Sequence, residues 1–444
     1  MSLPDPETVP RREFCKAAIA LGGVAGLSAC LDAGGDGTDP DADGSLADVP
    51  TGDPEGAPSR QHAWNDVLER DENGNVVAPT HHVLRGLSVS SDLVDAIGGG
   101  DTAALDDARR RFEDALTDLE RAFEWSNEGL LFTVGYAPAY FGRFDSGEDG
   151  PAGVELPEPT ALTSMEEPEF DAADVLVHVA SDSPEAVLAA EEALFGDESA
   201  ANGVTVTDVS DLFEPVDRRT GFLGPGLPRE HRDAQGVPDD APIPEEAPLF
   251  MGFKNGFAGS QPPEDRVTID EGPFADGTTQ HVSTLQTQLN AWWDQENHHQ
   301  RVAKLFSPTH AAEERVGEWG EKLGSAPGVI DLPEDAVKFA REEGVVGHAQ
   351  KAARARDDDG TPPLLRRDFP TTDGDHTGLH FLTLQESIAD FVRVRDAMTG
   401  ADLADESGVG SRLNNGILQY VFVRRRGNYL VPPRAHRSLP DPQP

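Results

Sequence analysis

The hydrophobic positions in the first half of the chain alternate between the spacing of strands and the spacing of helices. Helix 101–125 is the clearest, because Leu105, Phe112 and Leu116 share one face with acids and arginines opposite. Ser183 and Pro184 are typical of a helix start. The pattern predicts strand, helix, strand, strand, helix and strand at 82–89, 101–125, 130–134, 175–179, 184–195 and 204–209.

The second half repeats this order less clearly. The pattern predicts strands at 281–289, 378–385 and 417–424. It predicts helices at 333–343 and 386–398. Two copies of a βαββαβ order predict an α+β class with a duplicated ferredoxin-like fold. In such a fold two antiparallel sheets, with helices outside, can pack together and leave a cavity between them. We expect two domains, at 61–215 and 216–444, with the proline- and acid-rich stretches 143–170 and 227–248 as loops.

The first 29 residues have the pattern of a secretion signal. Arg11 and Arg12 precede an uncharged stretch, Ala17–Ala29, that is shorter than the about 20 residues of a membrane span. These features indicate a twin-arginine export signal. Leu27–Cys30 is similar to a lipobox, in which Cys30 would carry the lipid. The alternative is a short buried helix with an incidental cysteine.

Residues 30–60 differ in composition from everything that follows them. Between 31 and 59 there are eight acids, six glycines and no basic residue. Such a segment is typical of a disordered acidic tether, extended by its own charge. We therefore expect a protein on the extracellular face of the membrane, held only by a lipid on Cys30.

The overall charge changes the view of possible partners. The chain has 444 residues, with 36 basic and 81 acidic side chains, for a net charge of -45. A duplex nucleic acid would repel such a surface, so an ordinary nucleic-acid binder is excluded. Only six of the basic residues are lysines. Acidic, lysine-poor surfaces suit concentrated salt, where self-repulsion is screened, so the charge indicates a halophilic habitat.

Cysteine and histidine usage limits the metal chemistry. Cys15 and Cys30 are the only cysteines, and both lie in the signal region, so the mature chain has no internal disulfide and no thiolate site. Thirteen histidines are present without a zinc-type spacing. His178 and His380 alternate with apolar strand residues, which favours satisfied core histidines over ligands. A zinc or copper site is therefore poorly supported.

Three further features are candidates for chemistry. Gly252–Gly256 reads Gly-Phe-Lys-Asn-Gly, in which Asn255 is by itself more typical of a turn than of a catalytic group. His348 follows a glycine-flanked apolar segment, and Arg366 stands eighteen residues later.

In this context the chain resembles the dye-decolourising (DyP-type) haem peroxidases, in particular their exported, deferrochelatase-like branch. The similarity covers about residues 61–435 and rests on six segments in the family's order. Val134–Phe141 is similar to its GFGPSLF stretch, Gly252–Gly256 to its GxxDG motif, Gly378–Phe381 to its GLLF strand and Gly427–Pro433 to its GGYFFVPP end. His348 and Arg366 stand where the family has its proximal histidine and distal arginine.

The resemblance implies haem b as cofactor, bound in the C-terminal half. His348 would ligate the iron through one ring nitrogen while an acceptor holds the other. Arg366 would stabilise the anion that develops as peroxide is cleaved. Gly252, Gly256, Leu379 and Phe381 would border the cofactor. Hydrogen peroxide and an unknown electron donor would be the substrates, and the family often forms homo-oligomers.

Two departures from the family bear on activity. Asn255 replaces the aspartate that moves a proton between the peroxide oxygens, and an amide cannot exchange a proton as a carboxylate does. Ser387 stands where an acid that orients the proximal side is expected, with Glu386 beside it. The sequence thus leaves three interpretations: a peroxidase weakened or dependent on Arg366 alone, a non-enzymatic haem- or iron-handling lipoprotein, and a haem-free binding module.

Overall fold

The computed structural model describes residues 46–144, 150–254, 257, 259–324, 335–374, 376–405 and 407–444. The predicted export signal with Arg11 and Arg12, the lipidation site Cys30, and the candidates Asn255 and Gly256 lie outside the described residues.

The N-terminal half contains nine strands and four α-helices among its described residues. Their bounds, in chain order, are β1 (Glu69–Arg70), β2 (Val76–Val77), β3 (His81–Val89), α1 (Ser91–Gly99), α2 (Thr102–Ala122), β4 (Leu131–Tyr136), α3 (Pro138–Phe141), β5 (Glu169–Phe170), β6 (Val175–Ser181), α4 (Pro184–Phe195), β7 (Ala200–Ala201), β8 (Val204–Thr205) and β9 (Phe213–Phe222).

The C-terminal half has fewer strands and more short helices. Its elements are α5 (Leu227–Glu230), β10 (Thr278–Thr287), α6 (Leu289–Gln295), α7 (His298–Leu305), α8 (Pro308–Ala312), α9 (Asp335–Glu342), α10 (His348–Ala353), β11 (Leu365–Arg366), β12 (Phe369–Thr371), β13 (Gly378–Gln385), α11 (Ile388–Thr399), α12 (Ala401–Asp405) and β14 (Val421–Val431).

Each half has the strand order of a ferredoxin-like fold. In the N-terminal half the order is β9-β3-β6-β4, and in the C-terminal half it is β14-β10-β13-β11, with β12 also paired to β13. Both read 4-1-3-2 in a βαββαβ unit, and the pairs between these neighbours are antiparallel. The predicted duplicated α+β fold is therefore confirmed.

The two halves join edge to edge. Leu430 of β14 pairs with Tyr136 of β4, so that the strands of both halves form one ten-stranded sheet. On the other side β9 and β12 meet, where the Thr220 amide and hydroxyl both donate to Asp373 at 2.5 Å. The sheet thus folds back on itself, with its two halves face to face.

The space between the facing halves is filled. Leu84, Leu176, Val282 and Leu382 belong to one buried cluster there. The ring of Phe369 from β12 stacks on His82 of β3, with centroids 4.4 Å apart. Close packing of this kind leaves no room for a cofactor. The expectation of a cavity between the sheets is wrong on this point, because large apolar side chains from both halves occupy that space.

The helices cover the outer face of the N-terminal half, as predicted. Phe112, Leu116 and Leu119 of α2 are fully buried against the sheet. The Ser183 side chain accepts a hydrogen bond from the Ala186 amide and caps α4. Both helices follow the apolar spacing of the sequence, which is why their prediction succeeds.

The fourth strand of the N-terminal half is Phe213–Phe222, and the strand predicted at 204–209 is wrong. Only Val204–Thr205 is extended, paired with Ala200–Ala201. The true strand escapes the hydrophobic pattern because it carries charges that are neutralised locally. Arg219 pairs with Asp171 and with Asp217, in the latter case at 2.6 Å. The predicted domain boundary after residue 215 falls inside this strand.

The tether predicted for residues 30–60 does not extend through its last part. Residues 49–56 lie along the end of α2, where Val49 is buried and the Gly52 amide donates to the Arg121 carbonyl at 3.1 Å. A side chain at position 52 would meet the Phe123 and Glu120 carbonyls at 2.2 and 2.3 Å, so glycine is required. Apolar burial and this close approach fix a segment whose composition resembles a linker. Residues 30–45 lie outside the described residues.

Candidate functional site

A cavity of about 310 Å³ lies on the outer face of the C-terminal sheet, beneath α10 and α11. Its floor comes from alternate residues of the three central strands, and its size is at the lower end for a small-molecule site. These floor residues are Ser283, Leu285, Leu379, Phe381, Val421 and Val423. Alternation places them opposite Val282 and Leu382, which face the packed interior. The cavity is therefore mostly apolar and belongs to the C-terminal half alone.

His348 is the first residue of α10 and lines this cavity. Burial, and then the positive charges of Lys351, Arg366 and Arg395, lower its pKa to about 3. Its ring is shielded from bulk water but opens into the cavity. None of the hydrogen bonds among the described residues involves this ring. His348 is thus a neutral imidazole at physiological pH, able to ligate a metal.

Two close backbone approaches hold the start of α10 in place. A side chain at Gly347 would lie 1.8 Å from the Phe306 carbonyl oxygen, and one at Gly416 would lie 3.1 Å from His348 Cα. Gly416 also has a φ of 60°, which favours glycine. The position of His348 is therefore fixed by packing on both sides of its backbone.

Arg366 reaches the same cavity from the edge strand β11. The Gln261 side chain holds its backbone, accepting from the Arg366 amide at 2.9 Å and donating to its carbonyl at 3.0 Å. One guanidinium nitrogen donates to the Ser260 carbonyl at 3.2 Å. Among the described residues Arg366 has no carboxylate partner, so no ion pair neutralises its charge where it lines the cavity.

The described residues of the Gly252–Gly256 loop contact two cavities. Lys254 lines the main cavity, Gly252 lines a neighbouring one, and Phe253 lies between the two and lines both. Gly252 has a φ of 83°, and a side chain there would come within 2.6 Å of the Trp293 ring. Its glycine is explained by this backbone conformation and packing rather than by a ligand. Lys254 forms an ion pair with Asp71 at 3.0 Å, which ties the loop to the β1–β2 hairpin.

Ser387, at the position of the expected proximal acid, and its neighbour Glu386 do not reach His348. Ser387 caps α11 by accepting from the Ala389 amide, and Glu386 is exposed and lies 3.7 Å from Arg266. Neither lines the cavity. A carboxylate that would orient the His348 ring is therefore missing among the described residues.

The charges around the cavity oppose the charge of the whole chain. Five arginine and lysine side chains line it against one carboxylate, Asp368; the five are Lys254, Arg356, Arg366, Arg395 and Arg426. Sequence reasoning missed all but Arg366, because their positions carry no spacing signal. Burial, then the charge of Arg366, lowers the pKa of Arg356.

Glu166 supplies the missing counter-charge for two of these arginines. It lies in the acid-rich stretch whose role the sequence does not reveal, and it binds Arg395 at 3.0 Å and Arg426 at 2.8 Å. Its side chain is only 4% exposed. Arg356 and Arg366 remain without a carboxylate partner among the described residues. A ligand with anionic groups would therefore find two guanidinium groups available.

The strand histidines have structural partners. His82 Nε2 donates to the Pro79 carbonyl at 2.7 Å, and its Nδ1 lies 3.1 Å from His178 Nε2. His380 lies 3.3 Å from the Thr284 hydroxyl and 3.4 Å from Asp373. Within the described ranges no group of three or more histidine, cysteine or acidic side chains is arranged to hold a metal ion.

A family model matches residues 79–433, which is most of the chain. The chain belongs to DUF7405. The description of DUF7405 is a family of unknown function. No curated protein matches the sequence.

Solved structures similar to this DUF7405 chain are DyP-type proteins. The DyP-type peroxidase from Cellulomonas bogoriensis is 18% identical with a TM-score of 0.50, over 82% of this chain and 93% of that one. The dye-decolorizing protein from V. cholerae is 15% identical with a TM-score of 0.46, over 84% and 97%. The similarity to the Cellulomonas bogoriensis structure shows that the DUF7405 chain has the DyP-type fold, and at 18% identity it shows the fold alone.

Proposed function

We propose that this chain binds haem in the C-terminal cavity and is a DyP-type, peroxidase-like protein. The observation that carries the proposal is a neutral histidine and a carboxylate-free arginine, His348 and Arg366, in the wall of one apolar cavity. The residues fit the cofactor: apolar walls suit the macrocycle, His348 suits the iron, and Arg356 suits the anionic groups. When bound, haem b would supply the redox chemistry with peroxide.

The chain's own residues supply position and charge. His348 is held by Gly347 and Gly416 and stays neutral, as a ligand nitrogen must. Arg366 presents a permanent positive charge to the cavity and would stabilise an oxygen anion formed there, at little reorganisation cost because Gln261 fixes its backbone. Leu379 and Phe381 exclude water from the cavity floor. The electron donor for such a reaction stays open.

Cofactor binding can be measured directly from the visible absorption of haem. We expect the purified protein, reconstituted with haem, to show a Soret band, and His348→Ala to lose it because the neutral ring nitrogen is removed. The measurement is a visible absorption titration with haem. His299→Ala, at an exposed position, is the matched control and should keep the band. A wild-type protein without a Soret band would leave the haem-free binding module as the remaining function.

A non-enzymatic haem- or iron-handling protein is the second candidate. It is favoured by the absence of a hydrogen-bond acceptor for His348 among the described residues and by Asn255 at the position of the family's proton-moving acid. General acid–base help is typically worth about 10²–10⁴-fold, and its loss reduces turnover more than binding. Guaiacol or dye oxidation no faster than that of free haem at equal concentration would support this candidate.

Export and lipid anchoring are also part of the proposal. They are supported by Arg11, Arg12 and Cys30 in the sequence. Within the described residues no helix is long and apolar enough to cross a membrane. We expect Cys30→Ala to move the protein from the membrane fraction of its host to the medium, whereas Cys15→Ala should not. Fractionation followed by immunodetection checks this, and an unchanged distribution in Cys30→Ala would reject the lipid anchor.

A further inference from the structure

Lys351 places a buried positive charge one helical turn beyond His348. Its side chain is fully buried, and Nζ donates to the Met398 carbonyl at 2.6 Å and to the carbonyl and side-chain oxygens of Asn415 at 3.0 and 2.5 Å. All three acceptors are neutral. A buried ammonium without a carboxylate is uncommon, because its desolvation is offset only by such hydrogen bonds.

The surrounding backbone is shaped to hold this lysine. Side chains at Gly400 and Gly416 would each lie 3.2 Å from the Lys351 stem, and both glycines have positive φ, 57° and 60°. The Met398 carbonyl belongs to the last turn of α11, where the helix dipole favours a cation. Burial lowers the pKa of Lys351 to about 7, so the ammonium form prevails in mildly acidic solution.

Among the described residues no carboxylate is hydrogen-bonded to the Lys351 ammonium, and Asp402, an acid whose charge acts on it, is itself bound to Arg354. Glu386 and Ser387 lie outside the cavity, and Glu166 is a single acid between Arg395 and Arg426. A hydrogen-bond acceptor for the ring N–H that does not bind the metal raises the basicity of a ligating histidine and favours the oxidised metal. Here that acceptor is missing among the described residues, and the positive charges of Lys351, Arg366 and Arg395 lower the pKa of the ring instead.

We propose that Lys351 biases a haem ligated by His348 toward its ferrous form, so that the site is suited to holding a reduced haem for one-electron exchange. The inference rests on the proposed haem binding. Reduction adds one electron, taken from an external one-electron donor, and lowers the positive charge of the iron. A fixed cation in a low-dielectric surrounding therefore favours the reduced state. Lys351 acts through this field and through the position of α10, as a tuning and positioning residue.

The test is a spectroelectrochemical titration of the haem-loaded protein at pH 6 with redox mediators. Lys351→Met should lower the ferrous-to-ferric ratio at a fixed potential at least about tenfold, a midpoint shift of about 59 mV. Lys338→Met makes the same change in net charge on the exposed face of α9 and should not shift the midpoint. Equal midpoints for Lys351→Met and the wild type would overturn the inference.

A second variant keeps the test decisive if Lys351→Met does not fold. Lys351→Gln keeps an amide donor for the Met398 and Asn415 oxygens but carries no charge. It should lower the midpoint as Lys351→Met does, and an unchanged or higher value would contradict the inference. A wild-type protein without a Soret band would instead reject haem binding, so the two failures are distinguishable.

Discussion

We expect Arg366→Ala in the haem-loaded protein to react with hydrogen peroxide about 10²–10³-fold more slowly and to keep its haem, since this is the loss typical of removing one preorganised donor to a developing oxyanion. Among the described residues no carboxylate neutralises Arg366, and the cavity around it is largely apolar, where a charge acts more strongly than in water. Stopped-flow measurement of the spectral change on mixing with peroxide gives the rate.

The variant should leave the cavity wall in place, because Gln261 binds the backbone of residue 366 rather than its side chain. Arg366→Lys keeps the charge but loses the planar guanidinium group, so its rate should lie between those of the wild type and Arg366→Ala. Arg315→Ala removes an exposed arginine and serves as the control. If Arg366→Ala reacts within about threefold of the wild type, Arg366 is not the group that stabilises the anion in this cavity.

The fold was largely predictable because buried strands and amphipathic helices place hydrophobic residues at regular spacings in the sequence. Strand Gly378–Gln385 has the predicted bounds, and helix Pro184–Phe195 begins after the predicted cap, Ser183. Strand Phe213–Phe222 was not predictable, because its charged residues are neutralised by acids that are distant in sequence or two residues away. The helix Ser91–Gly99 also has no counterpart in the prediction.

The candidate site was predictable only where a motif marks it. His348, Arg366, Leu379 and Phe381 meet in one cavity, although they come from four positions along the second half. Gly252 does not join them, since its glycine serves the packing against Trp293. Arg356, Arg395 and Arg426 converge only through the fold, and so does Glu166.

The cavity wall is positively charged, whereas the chain as a whole is strongly negative. A net charge of -45 keeps the surface acidic, yet the cavity wall has five basic side chains and one acid. Burying cations without partners costs free energy, so such an arrangement is expected at a binding site rather than in a structural core. Asp368 and the paired Glu166 only partly offset these cations.

Acid should destabilise this protein well above the range in which carboxylates titrate. Four histidines have a pKa lowered to about 3, mainly by burial, and His81 has one lowered to about 4; the four are His62, His82, His281 and His348. In the unfolded chain each binds a proton below about pH 6.5, whereas in the folded chain it does not. The unfolded state therefore binds more protons between pH 6.5 and 4, and the free energy of unfolding falls as the pH falls.

The expected loss is at most about 1.4 kcal/mol per pH unit for each histidine, so a few of them suffice to remove much of a typical stability of about 5–15 kcal/mol. Denaturant unfolding at constant salt, from pH 7 to pH 4.5, measures it. His82→Gln keeps a donor for the Pro79 carbonyl but cannot take up the proton. The slope of its free energy of unfolding against pH should therefore be shallower by about 1.4 kcal/mol per pH unit, the contribution of one proton. The exposed His299→Gln should leave the slope unchanged. A free energy of unfolding that stays flat between pH 6.5 and 4.5 would mean that these histidines are not held neutral by the fold.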